Sequence, residues 1–301
     1  MPAPPLVSVA IPLYRSKEFL PIIIGNIDVI ADPNVEILVS DRHGDDDALD
    51  ILRDRYAHDP RVRLLTGRDR LHWVEHYNLL LREARGAYFM WMPHDDSFPA
   101  HYIPSLVAAL EEDPAAVLAF GAVDAVDLRG APIPGWTFHP PPFARARWAG
   151  VGDSIRLLFW GSAIPFRGVF RRECATRRGL YLRRHAPAAD GDWTFALSLV
   201  GALRYVPECR CVKRYYPQSI SAAPYRIRDV FRDARVLRAY VRECAPRRRD
   251  RIAAFAGLVV WQAVRIAGRT MPAFARPSAS QVVCNLLPRV LRPGQRRFPL
   301  S

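Results

Sequence analysis

The sequence predicts an α/β protein in which a mixed, mostly parallel β-sheet is flanked by helices, with a basic helical segment at the C-terminal end. Two observations support this fold class. Apolar, β-rich segments alternate with segments of helical spacing over about the first 120 residues, the order that builds a parallel sheet. Acidic residues follow the second and fourth apolar segments, and such sheets bind ligands at the carboxyl ends of their strands.

The alternation is regular in the first part of the chain. The predicted elements are strand Val7–Leu13, helix Glu18–Ile30, strand Val35–Val39, helix Ala48–Tyr56, strand Val62–Thr66, helix His72–Ala84 and strand Ala87–Met92. The last of these strands is apolar at every position, which is typical of a central strand that is buried on both faces.

The second part of the chain is less regular. After the predicted helix Tyr102–Leu110 and strand Val117–Val123 comes a proline-rich loop, Pro132–Trp148, and a loop of this length is usually functional. The loop is followed by strand Ser162–Phe170, helix Trp193–Val200, strand Leu203–Val206 and strand Arg210–Tyr215. From Tyr225 onward, apolar residues recur at helical spacing between arginines, which predicts a basic helical extension.

Charge is distributed unevenly along the chain. Residues 1–150 contain 14 Lys and Arg against 21 Asp and Glu, a net charge of −7, whereas residues 151–301 contain 29 against 9, a net charge of +20. Residues 223–301 carry 17 basic and 4 acidic side chains. Basic clusters at Arg247–Arg249 and Arg296–Arg297, with apolar residues between them, are typical of a segment that lies on anionic lipid headgroups.

A second interpretation of the basic segment needs no partner. The chain has 41 arginines and 2 lysines, which is a bias of composition, and arginines on a solvated helix require no ligand. No nucleic-acid-binding motif accompanies them, so we expect no nucleic-acid partner.

The composition also bears on the compartment. Five cysteines without a clustered framework favour a reducing environment. The apolar run Leu6–Leu13 lacks a basic flank and a cleavage site, and Ile252–Trp261 is too short to span a bilayer. We therefore expect a cytoplasmic protein, either free or peripheral on the inner face of the membrane.

Several motifs occur in one order across most of residues 6–222, and together they resemble family 2 glycosyltransferases of the GT-A fold. The matching segments are Val7–Tyr14, Glu36–Asp41, Asn78–Phe89, His94–Asp96 and Asp190–Leu199. The turn Trp91–Asp96 resembles a subgroup with a Trp-x-x-His-Asp-Asp pattern. The resemblance implies a Rossmann-like GT-A domain over residues 1–222, followed by the basic extension over residues 223–301.

The resemblance also implies a reaction. Family members of this kind move a sugar from a nucleotide-sugar donor, here a UDP-sugar as first choice, to an acceptor hydroxyl with inversion. Such a step serves glycan, polysaccharide or glycoconjugate biosynthesis. A divalent cation, Mn²⁺ or Mg²⁺, would neutralise the departing diphosphate, and acceptor specificity would reside in Pro132–Trp148 and the C-terminal half.

Asp95 and Asp96 are the candidate metal ligands, and Asp95 is also assigned to donor binding. They follow a buried strand, and carboxylate oxygens are the ligands that hard divalent cations prefer. The alternative is that they cap the next helix. Two departures from the family pattern affect this assignment: Pro93 replaces the first Asp of the usual Asp-x-Asp, and a tyrosine, Tyr215 or Tyr216, stands where relatives often have a histidine.

The remaining donor-binding candidates surround the same strand ends. Lys213 and Arg214 offer cationic contacts to the diphosphate, although they also suit the solvent-facing side of an edge strand. By resemblance, Asp41 accepts a hydrogen bond from the nucleobase, unless it is a solvated turn residue. Pro12 and Tyr14 approach the base, where Tyr14 either stacks or serves as a core aromatic. Asn78, at the start of a matching motif, completes the donor-binding set.

Asp192 is the first candidate for the catalytic base and Asp190 the second. An inverting transfer needs a carboxylate that takes the proton of the attacking hydroxyl. The family places this aspartate just before a helix, in a Glu-Asp pair that has become Gly191-Asp192 here. The alternative role for Asp192 is the N-cap of helix Trp193–Val200.

Two other functions compete with sugar transfer as explanations of the sequence. A nucleotidyl transferase would want a glycine-rich loop after the first strand, but Leu13–Ser16 contains no glycine, which argues against that class. A glycosyltransferase-like module that has lost activity and serves as a binding or scaffold protein is the second hypothesis, because of Pro93 and the missing histidine.

Overall fold

A computed structural model of the chain describes residues 6–42, 44, 46–67, 69–138, 147–160, 163–183, 188–216, 226–245 and 247–270. The strands in this part of the chain are β1 (Val7–Leu13), β2 (Val35–Asp41), β3 (Val62–Leu65), β4 (Tyr88–Trp91), β5 (Ala116–Val126), β6 (Pro132–Phe138), β7 (Arg147–Trp148), β8 (Val169–Arg171) and β9 (Ala202–Arg214). The α-helices are α1 (Leu20–Asp28), α2 (Ala48–Arg55), α3 (Trp73–Glu83), α4 (Tyr102–Glu112), α5 (Val151–Trp160), α6 (Arg172–Thr176), α7 (Ala189–Val200), α8 (Ile227–Cys244) and α9 (Arg248–Thr270).

The strands form one mixed sheet in the order β3-β2-β1-β4-β8-β5-β9-β7, with β6 paired to β5. Strands β1, β2, β3 and β4 run parallel, and β9 runs parallel to β5, whereas β8 is antiparallel to both of its neighbours. The predicted α/β fold class is therefore confirmed. Because β1 lies between β2 and β4, the loops that follow these three strands meet at one edge of the sheet.

Two apolar cores lie on opposite faces of the sheet. Alternate residues along a strand point to opposite faces, so Val9 and Met90 enter the core beneath α1, α2 and α4, whereas Ala10 and Trp91 enter the core shared with α3 and α7. Trp91 is fully buried, and its ring stacks on that of Phe166 with 4.5 Å between the centroids. The helices therefore cover both faces of β1 and β4, which the uniformly apolar sequence of β4 predicted for that strand.

Four predicted elements differ from the structure. The strand predicted over Ser162–Phe170 is a 3-10 turn, Pro165–Arg167, followed by β8, because a proline ring cannot donate to a strand ladder. Strands β6 and β7 occupy both ends of the predicted loop, whose residues 139–146 lie outside the described part. The two strands predicted after residue 202 are one strand, β9, and α5 was not predicted.

Helices α8 and α9 pack into the core beside α7. Val230, Leu237 and Trp261 are buried in the same apolar cluster as Trp193 of α7. The sequence has two basic clusters in its C-terminal segment. Arg247–Arg249 lies at the start of α9, whereas Arg296–Arg297 lies outside the described residues. The segment over residues 227–268 is therefore packed on the sheet domain, whatever the function of its outer surface.

Helix α9 (Arg248–Thr270) extends well beyond Ile252–Trp261, the apolar run that is too short by itself to span a bilayer. Within the described ranges one stretch, Arg248–Gly268, has the length and the apolar composition that a membrane crossing requires, and 22% of its apolar window is buried inside the fold. One face of the helix leaves Ile252 61% and Val259 58% exposed.

Candidate active site

The loop after β1 presents Tyr14 at the edge of the sheet. Pro12 is buried in β1, whereas Tyr14 is 45% exposed and carries the guanidinium of Arg15 over its ring. Arg15 has a φ of 48°, in the left-handed region that non-glycine residues rarely adopt. The Tyr14 N–H donates to Oγ of the buried Ser16 across 2.8 Å, which holds this turn in place.

Asp41 ends β2 directly beside the end of β1. The two strands are in register, with Leu13 opposite Asp41, so Asp41 and Tyr14 lie close together at the sheet edge. The Asp41 carboxylate is buried and accepts a hydrogen bond from the Gly44 N–H at 3.0 Å. The position combines a buried carboxylate acceptor with an exposed aromatic residue on the neighbouring strand end, which suits a planar ring with N–H groups on its edge.

The turn that follows β4 is tied to the rest of the fold on both sides. The amide of Asn26 donates to the Asp96 carbonyl at 2.8 Å and accepts from the Phe98 N–H at 3.0 Å. The ring Nδ1 of His94 lies 3.2 Å from the Pro12 carbonyl. These contacts hold the His94–Asp96 turn beside the β1 loop, so the first and fourth strands contribute to one site.

Asp96 points into the protein and is completely buried. Its Oδ2 accepts from Nε of Arg167 at 2.6 Å, and its Oδ1 accepts from the backbone N–H of Arg214 at 3.2 Å. The Arg167 guanidinium is only 8% exposed, and the Asp96 carboxylate holds its pKa above the usual value. Both oxygens of Asp96 are therefore engaged by protein groups.

Asp95 is less enclosed than Asp96. Burial and the neighbouring Asp96 raise the pKa of its carboxyl group, while His94, Lys213 and Arg167 oppose the shift. The hydroxyl of Tyr216 hydrogen-bonds to Asp95, and the Arg214 Nη1 donates to the Asp95 carbonyl at 2.8 Å. Asp95 is thus held between the end of β9 and the end of β4.

Lys213 lies near the end of β9 among these charged groups. Its ammonium is 4.7 Å from the centroid of the Tyr215 ring. Burial and Arg167 lower the pKa of Lys213, and the carboxylates of Asp96, Asp95 and, more weakly, Asp190 oppose this shift. The alternative, that Lys213 faces solvent on an edge strand, does not fit this arrangement. Ser97 bridges Val212 on the open side of β9, and the Lys213 side chain acts electrostatically on the carboxylates of the strand-end turn.

The two candidate bases lie on different sides of α7, which begins at Ala189 rather than at Trp193. Asp190 interacts electrostatically with Lys213, Arg167, and Tyr215 at the strand ends. Asp192 is 3% exposed and meets the Asp233 carboxyl of α8, and burial together with that second acid raises its pKa well above the usual range.

Asn78 is not brought to the site. Its amide nitrogen donates to the Leu182 carbonyl at 2.8 Å and its amide oxygen accepts from the Leu182 N–H at 2.9 Å. Both polar groups of the side chain are thereby used to join α3 to the segment before α7. The geometry assigns Asn78 to holding the fold together and leaves no polar group for a donor.

The geometry does not fit the expected pair of metal ligands. Each oxygen of the buried Asp96 already accepts from a protein donor, Arg167 or the Arg214 N–H, and the adjacent guanidinium repels a cation. Across the described residues, no three His, Cys, Asp or Glu side chains come together, so a cation here would depend on Asp95 and on the phosphates of a bound nucleotide. Asp95 is the one carboxylate of the turn that is not held in an ion pair there.

Arg167 and Asp233 are the site residues that sequence reasoning missed. A signal existed for Arg167, because it is a single charge within the apolar run Ile164–Phe170, and a buried charge requires a partner. Asp233 gave no comparable signal, since it is one of several charged residues on an amphipathic helix.

Comparison with known protein families identifies a match over most of the sheet. The model of the family described as Glycosyl transferase family 2 matches residues 8–172. This range includes β1 to β5, β8 and the turn with Asp95 and Asp96. A curated relative, the uncharacterized protein MT1568 of Mycobacterium tuberculosis (strain CDC 1551 / Oshkosh), is 26% identical over 224 residues, which is 71% of this chain and 68% of the relative.

Solved structures share the fold at low sequence identity. Staphylococcus aureus TarS 1-349 in complex with UDP-GlcNAc superposes with a TM-score of 0.70 at 13% identity, covering 95% of this chain and 82% of that one. The mannosyltransferase PcManGT from Pyrobaculum calidifontis, in complex with GDP-Man and Mn²⁺, gives a TM-score of 0.52 at 18% identity, covering 96% and 83%. Since the family model also covers more than half of the sequence, the chain belongs to glycosyl transferase family 2 and is a glycosyltransferase.

Proposed function

We propose that this chain transfers a sugar from a nucleotide-sugar donor to an acceptor hydroxyl with inversion, and that Asp190 is the general base. The observation that carries the proposal is that Lys213 meets the charges of Asp95 and Asp190 at the ends of β4 and β9. Asp41 ends β2 at the same edge of the sheet. A recessed acceptor, cationic groups and a separate carboxylate are what a nucleobase, a diphosphate and an attacking hydroxyl require.

The transfer is a single displacement. The acceptor oxygen forms a bond to the anomeric carbon while the bond from that carbon to the diphosphate oxygen breaks, and the electron pair leaves with the diphosphate. The acceptor proton passes to the Asp190 carboxylate. Lys213 stabilises the charge on the departing diphosphate, since a charge-assisted hydrogen bond strengthens as that charge develops.

Asp190 is preferred to Asp192 because of what each carboxyl contacts. Asp190 interacts with the groups at the strand ends, whereas the Asp192 carboxyl is buried against Asp233. Two carboxyl groups in contact cannot both ionise without a large cost, so Asp192 is poorly suited to accept a further proton. Asp192 therefore serves the packing of α7 on α8.

Donor recognition is proposed for the groups around β1 and β2. Tyr14 would stack on the nucleobase, Asp41 would accept from a base N–H, and Pro12 would form the floor of the site. A UDP-sugar remains the first donor to test, and UDP-GlcNAc in the TarS complex and GDP-Man in the PcManGT complex make both bases worth comparing. We also place the chain in the Trp-x-x-His-Asp-Asp subgroup, because Trp91 and His94 both hold the turn in place.

A matched pair of substitutions tests the base. After a screen of UDP-, GDP-, CDP- and TDP-sugars identifies a substrate pair, Asp190→Asn should lower kcat by about 10²- to 10⁴-fold. Asp192→Asn, the same change two positions away on one helix, should keep kcat within about threefold. The reverse pattern would make Asp192 the base. Nucleotide binding without turnover on any acceptor would favour the inactive scaffold.

The outer surface of α8 supports peripheral membrane binding as a second part of the proposal. Phe231 is 52% and Ile227 39% exposed, and Arg228, Arg232 and Arg235 lie on the same outer side of the helix. An apolar side chain among arginines suits the interface of an anionic bilayer. Sedimentation with vesicles of phosphatidylglycerol, compared with phosphatidylcholine vesicles, tests this, and Phe231→Ser with Arg232→Ser should abolish it.

A further inference from the structure

We propose that this chain binds the diphosphate of its donor through the ammonium group of Lys213 and needs no divalent cation for that contact. The inference rests on the proposed function, because it concerns the same nucleotide site. It differs from what the sequence predicted, in which Asp95 and Asp96 share a metal ion.

The first step is the loss of Asp96 as a ligand. An arginine cannot deprotonate in a protein, so the guanidinium beside Asp96 stays positively charged. The backbone N–H of Arg214 occupies the second oxygen. A cation that approached Asp96 would have to displace a buried guanidinium, and a buried arginine without its carboxylate is strongly unfavourable.

The backbone at Arg167 is fixed by contacts of the residues on either side of it. The next residue, Gly168, approaches β5 so closely that a Cβ atom there would lie 2.2 Å from the Ala119 carbonyl oxygen. The Arg167 carbonyl accepts from the Tyr102 hydroxyl at 3.3 Å, and the ring of Phe166 stacks on Trp91. The backbone that carries the guanidinium is therefore fixed by contacts before and after it.

The second step is the charge that remains at the turn. Two cationic side chains lie beside Asp95. The Arg214 Nη1 donates to the Asp95 carbonyl, and the Lys213 ammonium, which lies 4.7 Å from the Tyr215 ring, acts electrostatically on the Asp95 carboxylate. Both cations would repel a divalent cation at Asp95 and attract the diphosphate of the donor.

Titration calorimetry on the full chain tests the inference directly. UDP and GDP are titrated in EDTA and again in excess Mn²⁺. We expect one of them to bind with dissociation constants that agree within about threefold between the two conditions. Binding in Mn²⁺ that is lost in EDTA would overturn the inference and leave the proposed function intact. No binding of any nucleotide in either condition would instead count against the proposed function.

Variants at the two lysines of the chain make the test specific. Lys213→Met in EDTA should weaken nucleotide binding by about 10- to 100-fold, the usual range for loss of a charged hydrogen bond, and Lys213→Arg should restore much of it. Lys17→Met is the matched control, because its side chain is 62% exposed and pairs with Asp47. Equal affinities for Lys213→Met and the native chain would also overturn the inference.

Amine labelling gives a readout that does not depend on a variant. An amine-reactive acylating reagent followed by mass spectrometry reports on Lys17 and Lys213 in one sample. In EDTA, the nucleotide should protect Lys213 and leave Lys17 unchanged. Acylation of Lys213 at the same rate with and without bound nucleotide would contradict a direct contact.

Discussion

The Nε atom of Arg167 donates to Oδ2 of Asp96 across 2.6 Å, and the two side chains are 8% and 0% exposed. This contact joins the turn after β4 to the turn before β8, which are 71 residues apart in the sequence. It places a charge pair inside the fold beside the strand-end turn, so it affects both the stability of the protein and the charges around Asp95.

The buried pair should contribute strongly to stability. Arg167→Met leaves the Asp96 carboxylate without its counter-ion, and removing one partner of a buried pair costs about 3–5 kcal/mol. The free energy of unfolding, measured by urea denaturation and circular dichroism, should fall by that amount. The control is Arg177→Met, which removes an exposed pair with Glu173 at 3.2 Å and should cost less than about 1 kcal/mol. Similar losses in the two variants would contradict the assignment.

The pair of Asp192 and Asp233 should make stability depend on pH. The pKa of Asp192 is raised by burial and by Asp233, so the folded state holds a proton that the unfolded state releases above about pH 4. This contribution is complete below the unfolded pKa and is lost as pH rises toward the folded one. The amide of Asp192→Asn does not ionise, and its nitrogen can donate to Asp233.

The melting temperature of Asp192→Asn relative to the native chain should therefore rise with pH above about pH 4, by the equivalent of about 1.4 kcal/mol for each pH unit below the folded pKa. Thermal unfolding followed by circular dichroism across this range measures it. Asp50→Asn, at an exposed position on α2, should give a curve parallel to that of the native chain. A parallel curve for Asp192→Asn would show that the pair is not protonated in the folded protein.

Asn78 should contribute to the stability of the fold and not to donor binding. Asn78→Ala removes two hydrogen bonds to Leu182 and leaves its backbone groups buried, which costs about 1–3 kcal/mol. Urea denaturation measures this cost, and donor KM, measured below the unfolding transition, should change less than about twofold. The exposed Asn34→Ala is the control for stability. A large rise in donor KM with unchanged stability would show instead that Asn78 binds the donor.

The helical extension should be needed for folding. A chain that ends after residue 222 exposes the surface that α8 and α9 cover and should aggregate, because Val230, Leu237 and Trp261 belong to the main core. A chain that ends after Thr270 keeps every contact described for these helices and should unfold cooperatively. Size-exclusion chromatography and thermal unfolding of both chains measure this, and a monomeric, cooperatively folded 1–222 chain would contradict it.

The local sequence pattern was sufficient to predict the strands of the parallel part of the sheet. Strands β1, β2 and β4 are mainly apolar and alternate with helices, so the strands themselves and the positions of Asp41 and Asp95 after them could be predicted. The antiparallel part could not be predicted, because β6 and β7 lie within a proline-rich stretch and form strands only by pairing with β5 and β9.

The contacts that decide the roles of individual residues are non-local. Asn78 and Leu182 are 104 residues apart, and Asp192 meets Asp233 on a different helix. A motif places an aspartate near a strand end or a helix start, but it does not say which partner the carboxyl will find. This is why Asp96 was expected to bind a metal ion and instead pairs with Arg167.

A cation that belongs to the chain also affects how turnover ends. A metal ion can leave together with the nucleoside diphosphate, whereas the Lys213 ammonium stays behind on β9 among buried neighbours. Each departure of the product therefore breaks the same charge-assisted contact that helped the glycosidic bond to break. From the proposed Lys213 contact we expect release of the nucleoside diphosphate, more than the chemical step, to limit the rate at which the next cycle begins.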